Sequence, residues 1–184
     1  MSKINLEYFT RCMNTLEKAF SSLAKFSTED ELHDIYRAAC VKEFELIIEQ
    51  SVKLLRRALK PYFALARELD TMNFKDVFRS ASKHGLLSLE ETERWFKYRD
   101  SRNGTLYNGR VAEQTSSRLR RTNDRSVLRV HEDHEDDENA EIGVPLYAHD
   151  YGVDFANETL ALVPQFILDA NKLAKTIEAL NEAA

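Results

Sequence analysis

Apolar side chains recur at intervals of three and four along most of this chain, and little in it can break a helix. The first run places Leu6, Phe9, Met13, Leu16, Phe20, Leu23 and Phe26 in one series, the spacing at which side chains line up on one face of an α-helix. Only 5 glycines and 3 prolines occur in 184 residues. That scarcity of turn-makers disfavours many short strands joined by tight turns. An all-α fold is the expectation.

The helix boundaries follow from caps and breakers. Ser27 and Thr28, followed by Glu29, Asp30 and Glu31, offer hydroxyls to the first N–H groups of a second helix and acids to its positive end. Its apolar phase runs through Leu32, Ile35, Ala39, Phe44, Ile47, Ile48, Val52, Leu55 and Leu59 until Pro61, whose missing N–H should kink or end it. A third, shorter helix is expected from Phe74 to His84, with Gly85 in the left-handed closing position. Ser88 caps a fourth, from Leu89 to about Arg102, and a last helix begins near Asp154, with Pro164 in its early part as a bend or a late first turn. Short connections between these elements give an up-and-down bundle of about five helices, a single helical domain over 1–184 interrupted once.

Length and charge narrow the function classes. A net charge of -5 argues against a protein that coats nucleic acid broadly. No apolar run reaches the ~18 residues of a membrane span, and MSKINLEYFTRC at the N-terminus lacks a signal pattern; a soluble, cytoplasmic protein is expected. Cys12 and Cys40 lie in apolar helical patterns without metal-ligand spacing and read as buried, reduced thiols. His33 and His84 read as surface or cap-side residues, and Trp95, Phe96 and Tyr98 as core.

One stretch departs from this pattern. Residues 106–147 carry six arginines against nine acids, in a band of opposite charge blocks. A disordered loop or a small β-hairpin between Val127–Val130 and Ile142–Tyr147 fits such a composition. Its run His131-Glu132-Asp133-His134-Glu135-Asp136-Asp137 has the atoms for a divalent cation, but a solvated acidic run with two incidental histidines accounts for it better, and no metal is implied. The arginines at 118 to 129 could grip phosphate or pair with the neighbouring acids.

If 106–147 is closed up, Tyr98-Arg99-Asp100-Ser101-Arg102-Asn103-Gly104-Thr105 joins Ala148-His149-Asp150-Tyr151-Gly152 at the junction of two helices. Arg102 supplies a permanently charged fork for a phosphate, and His149 a group that moves protons near neutrality. Asp100 is close enough in sequence to orient a guanidinium. Helix capping by the same residues is the structural alternative.

With these residues in place, the chain resembles the HEPN superfamily, specifically its HepT-like toxins and nucleotidyltransferase substrate-binding proteins. The order of the helices carries the resemblance, with FELIIEQSVKLLRRAL, FKDVFRSASKHGLL and ETERWFKYRDSRN followed by HDYG. The family motif is an arginine, a polar residue, a histidine a few positions on and then, after one residue, a tyrosine; Arg102, Asn103, His149 and Tyr151 match it across the insertion. Here 46 residues separate arginine from histidine, where the family keeps four to six. A rival alignment puts Tyr107 and Gly109 at the histidine and tyrosine positions and loses both functional groups.

The resemblance implies a metal-independent endoribonuclease with no cofactor, acting as a homodimer on RNA, the toxin of a toxin–antitoxin pair. Arg102, His149 and Asn103 are then catalytic, with Asp100 in support. It also implies a minimal nucleotidyltransferase antitoxin that transfers AMP to Tyr151, which would add bulk and charge at the phosphate site. The alternative it leaves open is a non-catalytic substrate-binding subunit of a nucleotidyltransferase.

Overall fold

A computed structural model describes residues 3–102 and 153–183. It is an all-α up-and-down bundle, and no strand occurs among the described residues. Helix α1 spans Glu7–Leu23, α2 Glu31–Leu59, α3 Ala66–Thr71, α4 Phe74–Lys83 and α6 Val153–Glu182; α5 occupies residues 89–102, where the description stops. The segment 106–147, for which a loop or a hairpin was expected, lies outside the described residues.

The described residues form six helices where the sequence suggests about five. The extra one is α3, six residues long, too short for apolar periodicity to announce it. It follows a 3-10 turn at Lys60–Tyr62, where Pro61 ends α2 as expected. The α2 cap also differs from expectation. Asp30, rather than Ser27 or Thr28, accepts from the Leu32 N–H at 2.8 Å, because it directly precedes Glu31, the first helical residue. Ser27 Oγ accepts instead from Glu29 N–H, two residues before the helix. Helix α6 runs continuously through Pro164, so that residue does not lie in a first turn.

Gly85 and Ser88 behave as their positions suggest. Gly85 has φ +75°, and the bonds Gly85 N–H to Ser82 O (3.0 Å) and Leu86 N–H to Ala81 O (2.9 Å) close α4 in a Schellman motif. Three residues on, Ser88 opens α5 with a reciprocal capping box: its Oγ accepts from Glu91 N–H at 3.1 Å, and Glu91 Oε2 accepts from Ser88 N–H at 2.6 Å. The turn between α4 and α5 is thus fixed at both ends.

Helix α2 is the central element, packing against α1, α3, α4 and α6. Phe9, Met13 and Leu16 from α1 meet Phe44, Ile47, Leu55 and Leu59 from α2 in the core. Phe166 of α6 is its aromatic hub, with ring centroids 4.2 Å from Phe44, 4.9 Å from Tyr98 and 5.4 Å from Trp95. Tilted and edge-on contacts of this kind suit the ring quadrupoles. They join α2, α5 and α6 at one point, and Trp95 and Tyr98 are core residues as expected, with Phe96 partly buried at the margin. At the far end, Asn181 of α6 holds the chain start by accepting from Ile4 N–H (2.8 Å) and donating to Ile4 O (2.9 Å). No helix among the described residues is long and apolar enough to cross a membrane.

Candidate functional site

The site is built on α5, and α5 is held by a buried polar clasp. Asp169 of α6, 4% exposed, accepts two bonds of 2.7 Å from Arg94 Nε and Nη2 and a 2.6 Å bond from the Tyr98 hydroxyl. Gln165 Nε2 donates a longer bond of 3.4 Å. A buried carboxylate is tolerable only when its lone pairs are satisfied in this way. Burial pushes the Asp169 carboxyl up, but the bonds from Arg94 and Tyr98 outweigh it and hold the group below the usual carboxylate range. Burial and the adjacent carboxylate push the Tyr98 hydroxyl up, so it stays a donor at neutral pH. Around this clasp, Lys172 pairs with Glu91 at 2.5 Å, and Ser101 and Thr159 hydroxyls share a 3.2 Å hydrogen bond.

Two helical turns beyond Arg94 the same helix presents Arg102. Its Nη2 donates to Glu49 Oε1 on α2 at 2.5 Å, and its side chain is 23% exposed. Its Nε is shielded from water and has no acceptor among the described residues. Asp100, expected to orient this guanidinium, is exposed; two positions apart on a helix, the side chains point to different faces. Among the described residues, Glu49 is the carboxylate that meets Arg102. Nothing in the sequence around Glu49 distinguishes it, because the contact spans 53 positions.

Arg102 therefore lies at the seam between α2 and α5, with Nη2 tied to a carboxylate and Nε without an acceptor among the described residues. A guanidinium of this kind can donate hydrogen bonds to an anionic oxygen. Asn103, His149 and Tyr151 lie outside the described residues, as does the run from His131 to Asp137. Among the described residues no group of three or more His, Cys, Asp or Glu side chains is placed to hold a metal ion.

The remaining sequence candidates have structural settings. Cys12 and Cys40 are buried free thiols, and burial pushes Cys40 up to about 11. His84 stacks on Tyr62 with centroids 4.3 Å apart. His33, half-buried in the first turn of α2, is cap-side as expected, with its backbone N–H donating to Asp30 O at 2.9 Å, and its Nδ1 has no hydrogen-bond partner among the described residues.

A helical bundle with an arginine on its fifth helix and a long sixth defines a class that the comparisons with known proteins identify. Residues 5–128 match the family described as nucleotidyltransferase substrate binding protein like, and the chain belongs to that family. The matched span contains Arg102 and Asn103, takes in the first part of 106–147 and ends before His149 and Tyr151. The chain is 27% identical over 109 residues to a protein of Haemophilus influenzae named probable ribonuclease HepT, covering 57% of this chain and 73% of that one. Its fold is similar, with a TM-score of 0.61 at 18% identity, to a solved Haemophilus influenzae structure described as the fold of a substrate binding domain of a nucleotidyltransferase. That likeness covers 95% of this chain and 99% of the other.

Proposed function

We propose that this protein is a metal-independent endoribonuclease, the toxin of a pair whose antitoxin is a minimal nucleotidyltransferase. The observation that carries the reading is Arg102, partly buried at the α2–α5 seam with a donor that no described residue uses. The likeness to a probable ribonuclease supports it. In the reaction, His149 takes the proton of a ribose 2′-hydroxyl. The 2′-oxygen attacks the adjacent phosphorus, the 5′-oxygen leaves and gains a proton, and a 2′,3′-cyclic phosphate remains. Arg102 stabilises the charge that grows on the phosphoryl oxygens, a contribution that commonly amounts to ~100-fold to 1,000-fold in rate per donor. Asn103 positions the phosphate. Two protomers share the cleft in the cytoplasm, and transfer of AMP from ATP to the Tyr151 hydroxyl, with loss of pyrophosphate, blocks it.

The test is cleavage of RNA in EDTA by the purified chain and by Arg102→Ala and His149→Ala variants. Cleavage by the parent alone is expected; equal cleavage by all three, or by none, refutes the reading. A second reading is favoured by the family's own description: a non-catalytic subunit that presents substrate to a nucleotidyltransferase. Stable co-purification with such an enzyme, with RNA left intact, would select it.

A further inference from the structure

Beside Arg102, three more cations are gathered on the outer face of α4 and α5. Lys75 Nζ and the Arg79 guanidinium of α4 both lie over the ring of Phe96, 5.5 and 5.6 Å from its centroid. The Arg99 guanidinium of α5 lies 4.7 Å over the ring of Phe74. The two rings are themselves neighbours, with centroids 6.5 Å apart, so three positive charges share one aromatic platform. Lys75 and Arg79 are one turn apart on α4, and Arg99 and Arg102 one turn apart on α5, a spacing that brings side chains of one helix to within about 5–6 Å at Cβ. Among the described residues, only Arg79 of the three has a carboxylate partner, Asp76 at 3.3 Å, and that pair is well exposed.

Cations held over rings keep their outward N–H groups for another acceptor. Their charge is concentrated on one face of a chain whose net charge is -5. This cationic group, which has Asp76 beside it and Arg99 one turn from Arg102 on α5, fits a polyanion of regularly spaced charge. The rings are covered by the cations, which leaves phosphate rather than base as the group recognised.

We propose that Lys75, Arg79 and Arg99 form a phosphate-binding track that leads single-stranded RNA to Arg102. The track makes recognition depend on the backbone and not on sequence. It rests on the ribonuclease reading for the direction of the strand, but its binding can be measured without cleavage.

The experiment measures binding of a fluorescent 2′-O-methyl RNA, which cannot undergo 2′-oxygen attack, by anisotropy from 50 to 200 mM salt. The full chain is compared with Lys75→Gln/Arg79→Gln/Arg99→Gln. A control, Lys18→Gln/Lys25→Gln/Lys175→Gln, removes the same charge from exposed positions on and after α1 and on α6. Each lost phosphate contact lowers the slope of log affinity against log salt by about 0.7 for a single strand, so the track variant should lose a slope of about 2. Across that salt range the parent should then weaken about 15- to 20-fold more than the track variant. The control variant should follow the parent. An unchanged slope in the track variant, equal losses in both variants, or no binding by the parent overturns the track. Cleavage of ordinary RNA is read in parallel: cleavage with an unchanged slope refutes the track and spares the ribonuclease, whereas track-dependent binding without cleavage does the reverse.

Discussion

Replacing Asp169 by alanine tests whether α5 depends on its clasp. The change leaves the Tyr98 hydroxyl, in a residue 2% exposed, with no acceptor, which costs about 1–3 kcal/mol for a buried donor. Breaking a buried ion pair from one side commonly costs about 3–5 kcal/mol. Arg94, however, has a side chain 30% exposed and recovers part of its loss from water, which places the expected total near 3 kcal/mol. For a chain of this size that corresponds to a fall in Tm of about 6–12 °C. Urea titration followed by far-ultraviolet circular dichroism and by Trp95 fluorescence gives the free energy, with coincident transitions as the check on two-state behaviour. Tyr98→Phe removes one hydroxyl and leaves Asp169 bonded to Arg94, so it should cost only about 1–1.5 kcal/mol. The reasoning fails if Asp169→Ala loses less than about 1 kcal/mol, or if Tyr98→Phe loses as much as Asp169→Ala.

Other perturbations bear on the same frame. Because the folded state holds the Asp169 carboxyl below its unfolded value, the clasp's stability is complete above the unfolded pKa of about 3.9 and is lost as pH falls through the folded one; the stability gap between parent and Asp169→Ala should therefore close in acid. Gly85→Ala meets no atom within 4 Å, so its cost is the left-handed backbone alone, about 1–2 kcal/mol in thermal unfolding. Ser88→Ala removes the α5 cap and should cost about 1 kcal/mol, and a loss below a few tenths would show that Glu91 holds the turn unaided. Cys40, fully buried and pushed up to about 11, should resist a disulfide reagent at pH 8 until denaturant exposes it; rapid reaction in the folded protein would contradict its burial.

Local chemistry made much of this fold legible in the sequence. Ser88 and Glu91 announce a capping box, Gly85 a left-handed stop and Pro61 the end of α2, each through groups only a few residues apart. Helix α3 escaped because six residues cannot display a period, and the Asp30 cap because the hydroxyls of Ser27 and Thr28 stood just before it. The site was legible to a smaller degree. Arg102 falls on α5, but its partner Glu49 is 53 positions away and the bonds from Arg94 to Asp169 span 75. Such pairs are chosen by packing, and one sequence records no sign of which polar residue will face which. Asp100 illustrates the converse, since nearness in the chain suggested a contact that helical rotation forbids.

The clasp between α5 and α6 has a consequence for how this protein can change over generations. Arg94 with Asp169, Glu91 with Lys172 and Ser101 with Thr159 fasten the two helices to each other directly. Their register therefore does not depend on the connection that joins them. Doubling that connection costs only about 0.6 kcal/mol in closure entropy. Selection can thus lengthen, shorten or recompose the text between α5 and α6 at almost constant stability, which makes this junction the place where the family can acquire new sequence without relinquishing its fold.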